Sequence, residues 1–163
     1  MKHHITFNID EQAATIYVMA VYTTAAQNVW NCFTKPELLE KWWLPKPWTA
    51  KTIEMDFRAG GHWHYRVVNP EGIEREGKLL YHEINSGRSF DFRDEIMVEN
   101  TGNIAPAPNW LVGFTGVEEG MKLTINLHCS SAEELQQMID LGFEKRLKDS
   151  LEQLRIILQE QTV

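Results

Sequence analysis

Apolar and polar positions alternate from Ile5 to Ile9, and again through Ala14, Ile16, Val18 and Ala20 against Thr15, Tyr17 and Met19. That period predicts two strands joined by a turn at Asp10-Glu11-Gln12. Two short helices follow. Thr24-Ala25-Ala26-Gln27 and Thr34-Lys35-Pro36-Glu37 each have the shape of a capping box, with a hydroxyl placed to accept from a first-turn N–H. Pro36 stands early in the second, where its missing N–H does no harm. Val29, Trp30 and Phe33 form one apolar face, Leu38, Leu39, Trp42 and Trp43 the next, and Pro45 and Pro47 end the helical section.

From Thr49 to Cys129 the pattern is that of strands joined by tight turns. Asn69-Pro70-Glu71-Gly72 suits a type I turn, so His62–Val68 and Ile73–Ile84 are expected to pair as a hairpin. Asn85-Ser86-Gly87 makes the next corner, and Glu118-Glu119-Gly120 closes a hairpin between Trp110–Val117 and Met121–Cys129. Asn100–Asn109, with Gly102, Pro106 and Pro108, reads as a loop. The last segment has a different period. After the capping box Ser131-Ala132-Glu133-Glu134, the residues Leu135, Met138, Ile139, Phe143, Leu147, Leu151, Leu154 and Leu158 recur at helical spacing. One helix to about Gln159 would be roughly 40 Å long and a principal core element. Gly142 inside it costs ~1 kcal/mol against alanine, and marks close packing of helix against strand, room for a ligand, or a local kink.

The expected fold is α+β. A curved antiparallel sheet of about six to seven strands wraps a long C-terminal helix, and two short helices follow the first strands. The 163 residues fit one domain spanning 1–163. The balance of 16 Lys+Arg against 23 Asp+Glu, −7 overall, repels phosphate backbones and anionic lipid, so no nucleic-acid partner is expected. No apolar run approaches the roughly 18 residues of a membrane span, and MKHHITFNID lacks the apolar core of a signal peptide. Cys32 and Cys129 are isolated between apolar neighbours and read as buried free thiols. A cytoplasmic location follows by elimination.

The runs VWNCFTKPELLEKWWLPKPW and MDFRAGGHWHYRVVNPEGIEREGKLLYHEI carry a resemblance. The matching features are T-x-P-E-L-L-x-x-W-W at Thr34–Trp43, D-x-R-x-G-G at Asp56–Gly61, P-E-G at Pro70–Gly72 and G-K-x-x-Y-x-E-I at Gly77–Ile84. Together with the terminal helix they resemble the activator-of-heat-shock-protein-ninety-ATPase-like family. That family belongs to the START-like, birch-pollen-allergen-like superfamily (also called SRPBCC). The resemblance implies a helix-grip fold and a central cavity that takes lipids, hormones or polyketides. It implies, as alternatives, a cyclase-like enzyme or a chaperone-interacting protein. The expected function is non-catalytic binding of a small apolar or amphipathic molecule, with Trp43, Trp63, Tyr65, Trp110, Met138 and Phe143 as pocket candidates.

The residues themselves add detail. Five of six tryptophans fall between Trp30 and Trp63, and large rings give a pocket wall area as readily as they fill a core. On the 62–68 strand Trp63, Tyr65 and Val67 are expected inward, with His62, His64 and Arg66 on the other face. The two imidazoles could share a metal, but no third ligand stands at suitable spacing, and no metal is assigned. His128 and Cys129 are adjacent on a strand and point apart, which does not suit a nucleophile pair. Asp56 and Arg58 before Gly60-Gly61 read as a paired structural corner. Glu74, Glu76, Asp91 and Asp94 are expected on solvated edges, though two facing the interior could do acid–base work. No catalytic residue and no cofactor is assigned.

Overall fold

The computed structural model describes residues 5–72, 74–96 and 107–161. In chain order the elements are β1 (Ile5–Asp10), β2 (Thr15–Tyr22), α1 (Ala26–Thr34), α2 (Pro36–Leu39), β3 (Thr49–Asp56), β4 (His62–Val68), β5 (Glu74–Asn85) and β6 (Ser89–Ile96). β7 (Asn109–Val117), β8 (Gly120–His128), α3 (Ala132–Asp140) and α4 (Phe143–Gln161) complete the series. All strands pair antiparallel in one sheet, in the order β1-β2-β8-β7-β6-β5-β4-β3. This is the helix-grip arrangement, with the C-terminal helices against the inner face of a curved sheet.

Among the described residues the sheet has eight strands rather than six or seven. The two edge strands explain the difference: β1 has no fully buried residue and β3 buries only Ala50, so neither shows a strong inward row. The hairpins fall where the turn residues place them. Gly72 N–H donates to Asn69 O at 3.0 Å and Arg88 N–H to Asn85 O at 2.9 Å. Gly72 and Gly87, at φ 83° and 75°, occupy the left-handed region these corners need. Most of the expected loop at Asn100–Asn109 lies outside the described residues. Register shifts at Thr52/Glu54 in β3 and Tyr81/Ile84 in β5 bend the strands.

Inward residues line up across the strands. One row runs Ile16, Leu127, Trp110, Phe92, Tyr81, each directly paired with the next, and all are buried. From α1, Val29, Trp30, Cys32 and Phe33 pack down onto this face. Thr24 does not cap α1: Ala25 is the N-cap, and Thr24 Oγ1 accepts instead from Asn28 Nδ2 at 2.9 Å. Thr34 does not cap α2 either, since its hydroxyl donates to Trp30 O at 2.9 Å. The second helix is a single turn that begins with Pro36, and Trp42 and Trp43 lie beyond it, both buried.

The C-terminal segment is two helices, not one rod. Gly142, at φ 76°, stops α3, with Gly142 N–H donating to Ile139 O at 3.0 Å, and its own carbonyl accepts from Arg146 N–H as α4 starts. Helical phase explains the break. Nine residues from Met138 to Leu147 span about two and a half turns, so one straight helix would put them on opposite sides. Both are buried, as are Leu151, Leu154 and Leu158. Ser131 does cap α3, accepting from Glu134 N–H at 3.1 Å, while the Glu134 carboxylate takes the Ser130 hydroxyl at 2.7 Å. The middle of α4 is clamped to the region after α2. Ser150 Oγ donates to Trp43 O, Gln153 Nε2 to Leu44 O, and Lys46 N–H to Gln153 Oε1. Tyr22 adds a hydrogen bond to Leu151 O at 3.1 Å.

Candidate functional site

Under α4 and α3 the interior is aromatic. Trp43 is its hub, with ring centroids 6.1 Å from Trp63, 6.0 Å from Phe92 and 5.2 Å from Trp110. Trp63 stacks on Tyr65 at 4.2 Å, Phe92 stacks on Trp110 at 5.3 Å, and Phe143, first residue of α4, meets Trp110 edge-on at 6.1 Å. Five of the six candidate residues therefore form one connected set of rings. The sixth, Met138, is buried in α3, where its sulfur accepts a weak contact from the Cys129 thiol at 3.4 Å, and no ring contact joins it to the set among the described residues.

Polar groups in this region are few and directed. Trp63 Nε1 donates to Thr52 Oγ1 at 3.0 Å and Trp42 Nε1 to Cys32 O at 2.9 Å. Trp43 Nε1 donates to Tyr65 Oη at 3.4 Å, and Tyr65 Oη donates to Asp94 Oδ1 at 2.8 Å. Asp94 stands on the inward side of β6 with Phe90 and Phe92, which corrects the expectation of a solvated edge for this carboxylate. Burial pushes its pKa up to about 7. The Tyr65 hydrogen bond and Arg146 act in the opposite sense, while Glu95 adds to the rise. Burial, with the Asp94 charge beside it, holds the Tyr65 phenol well above the usual range.

A glycine makes this pair possible. Tyr65 on β4 is paired with Gly77 on β5, and its ring crosses β5 over that glycine to reach β6. A Cβ on Gly77 would lie 2.5 Å from Tyr65 Cζ and 2.6 Å from its hydroxyl oxygen. Strand parity is the signal that would have placed Asp94 inward, since it shares a face with Phe90 and Phe92, but the expectation was a solvated edge. The role of Gly77 gave no signal of its own in the sequence.

A second interior phenol differs. Tyr81 Oη is buried among Phe57, Phe90 and Phe92 and has no hydrogen-bond partner among the described residues. Burial raises its pKa.

The remaining candidates lie outside this region. His62 pairs with Glu54 at 2.6 Å and His64 with Glu76 at 3.3 Å, each imidazole taking its own carboxylate on the outer face. Asp91 pairs with His82 at 3.1 Å, and the Glu74 side chain lies outside the described residues. Among the described residues no cluster of three or more His, Cys, Asp or Glu could hold a metal. Arg58 and Asp56 pair at 2.6 Å, and Gly60 N–H and Gly61 O both bond the Tyr81 backbone, so this corner ties β3 to β5. His128 Nδ1 meets Thr15 Oγ1 at 2.8 Å and turns away from the buried Cys129. Both cysteines are free, and burial raises each thiol to about 11. Among the described residues no helix is long and apolar enough to cross a membrane.

Comparison with solved structures gives the same architecture. Protein Ms6760 from Mycobacterium smegmatis superposes with a TM-score of 0.86 at 25% identity, covering 97% of this chain and 99% of that one. A protein from Arthrobacter aurescens gives 0.88 at 25% identity, covering 95% and 91%. The AHSA1 protein from Silicibacter pomeroyi gives 0.72 at 15% identity, covering 90% and 99%. No curated protein matches. The family model described as Activator of Hsp90 ATPase homolog 1-like protein matches residues 23–159, from the end of β2 into the last turn of α4. The chain belongs to that family.

Proposed function

We propose that this chain is a cytoplasmic, non-catalytic binding protein for a small hydrophobic or amphipathic molecule, held between the sheet and the C-terminal helices. One observation carries the reading: a directed polar pair, Tyr65 and Asp94, is set into a wall of connected aromatic rings. An ordinary core avoids such a group, because a half-buried carboxylate costs stability and adds nothing to packing. A binding site gains from it, because one polar anchor in an apolar surround orients an amphipathic ligand. Trp43, Trp63, Tyr65, Trp110, Met138 and Phe143 are its proposed wall, and the joint at Leu141–Gly142 is where the cover over Trp110 can shift.

Tryptophan emission reports directly on this wall. Titration with a panel of fatty acids, sterols and aromatic alcohols is expected to change emission and raise Tm for at least one chemical class. A broad panel that changes neither overturns the reading. A second reading, acid–base catalysis of the cyclase kind, draws on the same Tyr65–Asp94 hydrogen bond, whose two members are both titratable. Turnover of an enolisable ligand that is lost in Asp94→Asn, with binding retained, would replace the first reading by the second.

A further inference from the structure

The two edges of the sheet are built differently. At one edge, β3 carries Lys51, Glu54 and Asp56, and a register shift between Thr52 and Glu54 breaks its line. Charges and bulges of this kind keep an edge from pairing with another chain. At the other edge, β1 has neither device. Its six residues pair with β2 in unbroken register from Ile5↔Ala20 to Asp10↔Thr15. It contains no proline, lysine or arginine, and Asp10 at its end is its one charged residue. Among the described residues no strand pairs with its outer side, so the backbone N–H and C=O groups there are left without a ladder.

The side chains favour one occupant. Ile5, Phe7 and Ile9 share the inner face, because they pair with the buried Ala20, Val18 and Ile16. Yet Ile5 and Phe7 are only partly covered, and Ile9 is 46% exposed. Thr6 and Asn8 are exposed on the outer face. This sequence is complementary to itself. When a second β1 is laid antiparallel with the two Phe7 residues opposite each other, each Ile5 faces the Ile9 of the other copy, and each Thr6 faces its Asn8. Directly opposed residues of an antiparallel pair lie on the same face. Apolar therefore meets apolar inside and polar meets polar outside, in every row. The two Asp10 residues end six residue steps apart, roughly 20 Å. That is well beyond the screening length of about 8 Å in physiological salt, so the strand's own charge does not oppose the seam.

We propose that the occupant of this edge is a second copy of the chain, joined β1 to β1 about a two-fold axis at Phe7, so that two sheets continue into one. Each exposed Ile9 is then covered by Ile5 of the other copy. A six-residue strand gives an interface at the small end of the specific range, so the dimer is weak, with a Kd on the order of 10–100 µM.

The test is analytical ultracentrifugation of the intact chain across a concentration range that brackets this Kd, where a monomer–dimer equilibrium is expected. Thr6→Lys with Asn8→Lys sets like charges opposite each other in two rows and is expected to weaken the dimer about tenfold or more. Thr6→Glu with Asn8→Lys sets opposite charges in the same rows and is expected to keep or strengthen it. All these side chains are exposed in the single copy, so Tm of the dilute protein should stay unchanged in both variants. In a mixture of differently labelled chains, an intermolecular NOE between the Ile5 and Ile9 methyl groups is expected, and it needs no variant. A chain that stays monomeric throughout overturns the proposal. So does a dimer that both double variants leave intact, which would place the seam elsewhere, as on the exposed Tyr17, Met19 and Leu111 of the outer sheet face. A dimer weakened equally by both variants overturns the register.

Discussion

Replacing Gly77 by alanine adds one methyl group at the tightest crossing in the interior. Gly77 does not have positive φ, so alanine is free of backbone strain there, and β5 gains the ordinary preference over glycine of roughly 0.5–1 kcal/mol. Against this, the new Cβ would stand 2.5 Å from Tyr65 Cζ, 2.6 Å from Oη and 2.9 Å from Cε2. The ring cannot withdraw, because Tyr65 is fully buried and stacked 4.2 Å from Trp63. Overpacking of this kind costs about 1–3 kcal/mol. If the ring lifts, its hydrogen bond to a charged acceptor is lost, at a further 1.5–3 kcal/mol or so. The net expectation is a loss of about 2–4 kcal/mol, which for a chain of this length lowers Tm by roughly 5–15 °C. Urea unfolding of Gly77→Ala measures it. The same substitution in a Tyr65→Leu background should cost almost nothing, since the obstructing ring is gone. A Gly77→Ala protein within about 0.5 kcal/mol of the parent, with the Asp94 titration unmoved, would refute the crossing argument.

Three further outcomes are expected. Tyr81→Phe removes a buried hydroxyl that has no partner among the described residues, so it should leave stability unchanged or raise it by about 1 kcal/mol, whereas Tyr65→Phe should lower it; a loss above 1 kcal/mol or so in Tyr81→Phe, measured by urea unfolding, would show that the phenol is bonded. Asp94 has a folded pKa raised from 3.8 to about 7, so the unfolded chain releases its proton first and the destabilisation it causes builds from about pH 4 to about pH 7. Asp94→Asn should therefore gain on the parent by up to about 4 kcal/mol as pH rises through that window, and no relative change in unfolding free energy would contradict the buried placement. Gly142→Ala meets no steric obstacle but must hold φ near 76°, so a loss of roughly 1–2 kcal/mol is expected; faster amide exchange around residues 139–143 would locate the effect.

The hairpins were legible because their corners are written in residues with few other uses: Pro70-Glu71-Gly72, Ser86-Gly87 and Glu118-Glu119-Gly120 each fix a reversal by backbone geometry. The inward face of β4 followed from parity alone. The C-terminal break was harder to see, because Ile139, Phe143 and Leu147 keep helical spacing straight through it. Only the mutual phase of Met138 and Leu147 reveals that one helix cannot bury both, and Ile139, 36% exposed, is the residue the break turns outward. Thr24 and Thr34 show the limit of cap motifs. Each hydroxyl found a nearer partner, Asn28 in one case and the Trp30 carbonyl in the other, and the helix start moved by a residue. For the site, the rings could be read as a group from their density. The Tyr65–Asp94 bond could not, because it joins β4 to β6 across a third strand, and its enabling residue acts by the side chain it lacks.

The ties between α4 and the region after α2 also bear on how this chain comes to be folded during synthesis. Ser150 and Gln153 bond carbonyls at Trp43 and Leu44, more than 100 positions earlier, and β2 pairs only with β1 and β8. A nascent chain that has reached β7 thus holds an unclosed aromatic layer until the final segment emerges. Folding dominated by such distant partners is slow, and the interval before closure is when the apolar layer is most exposed to aggregation.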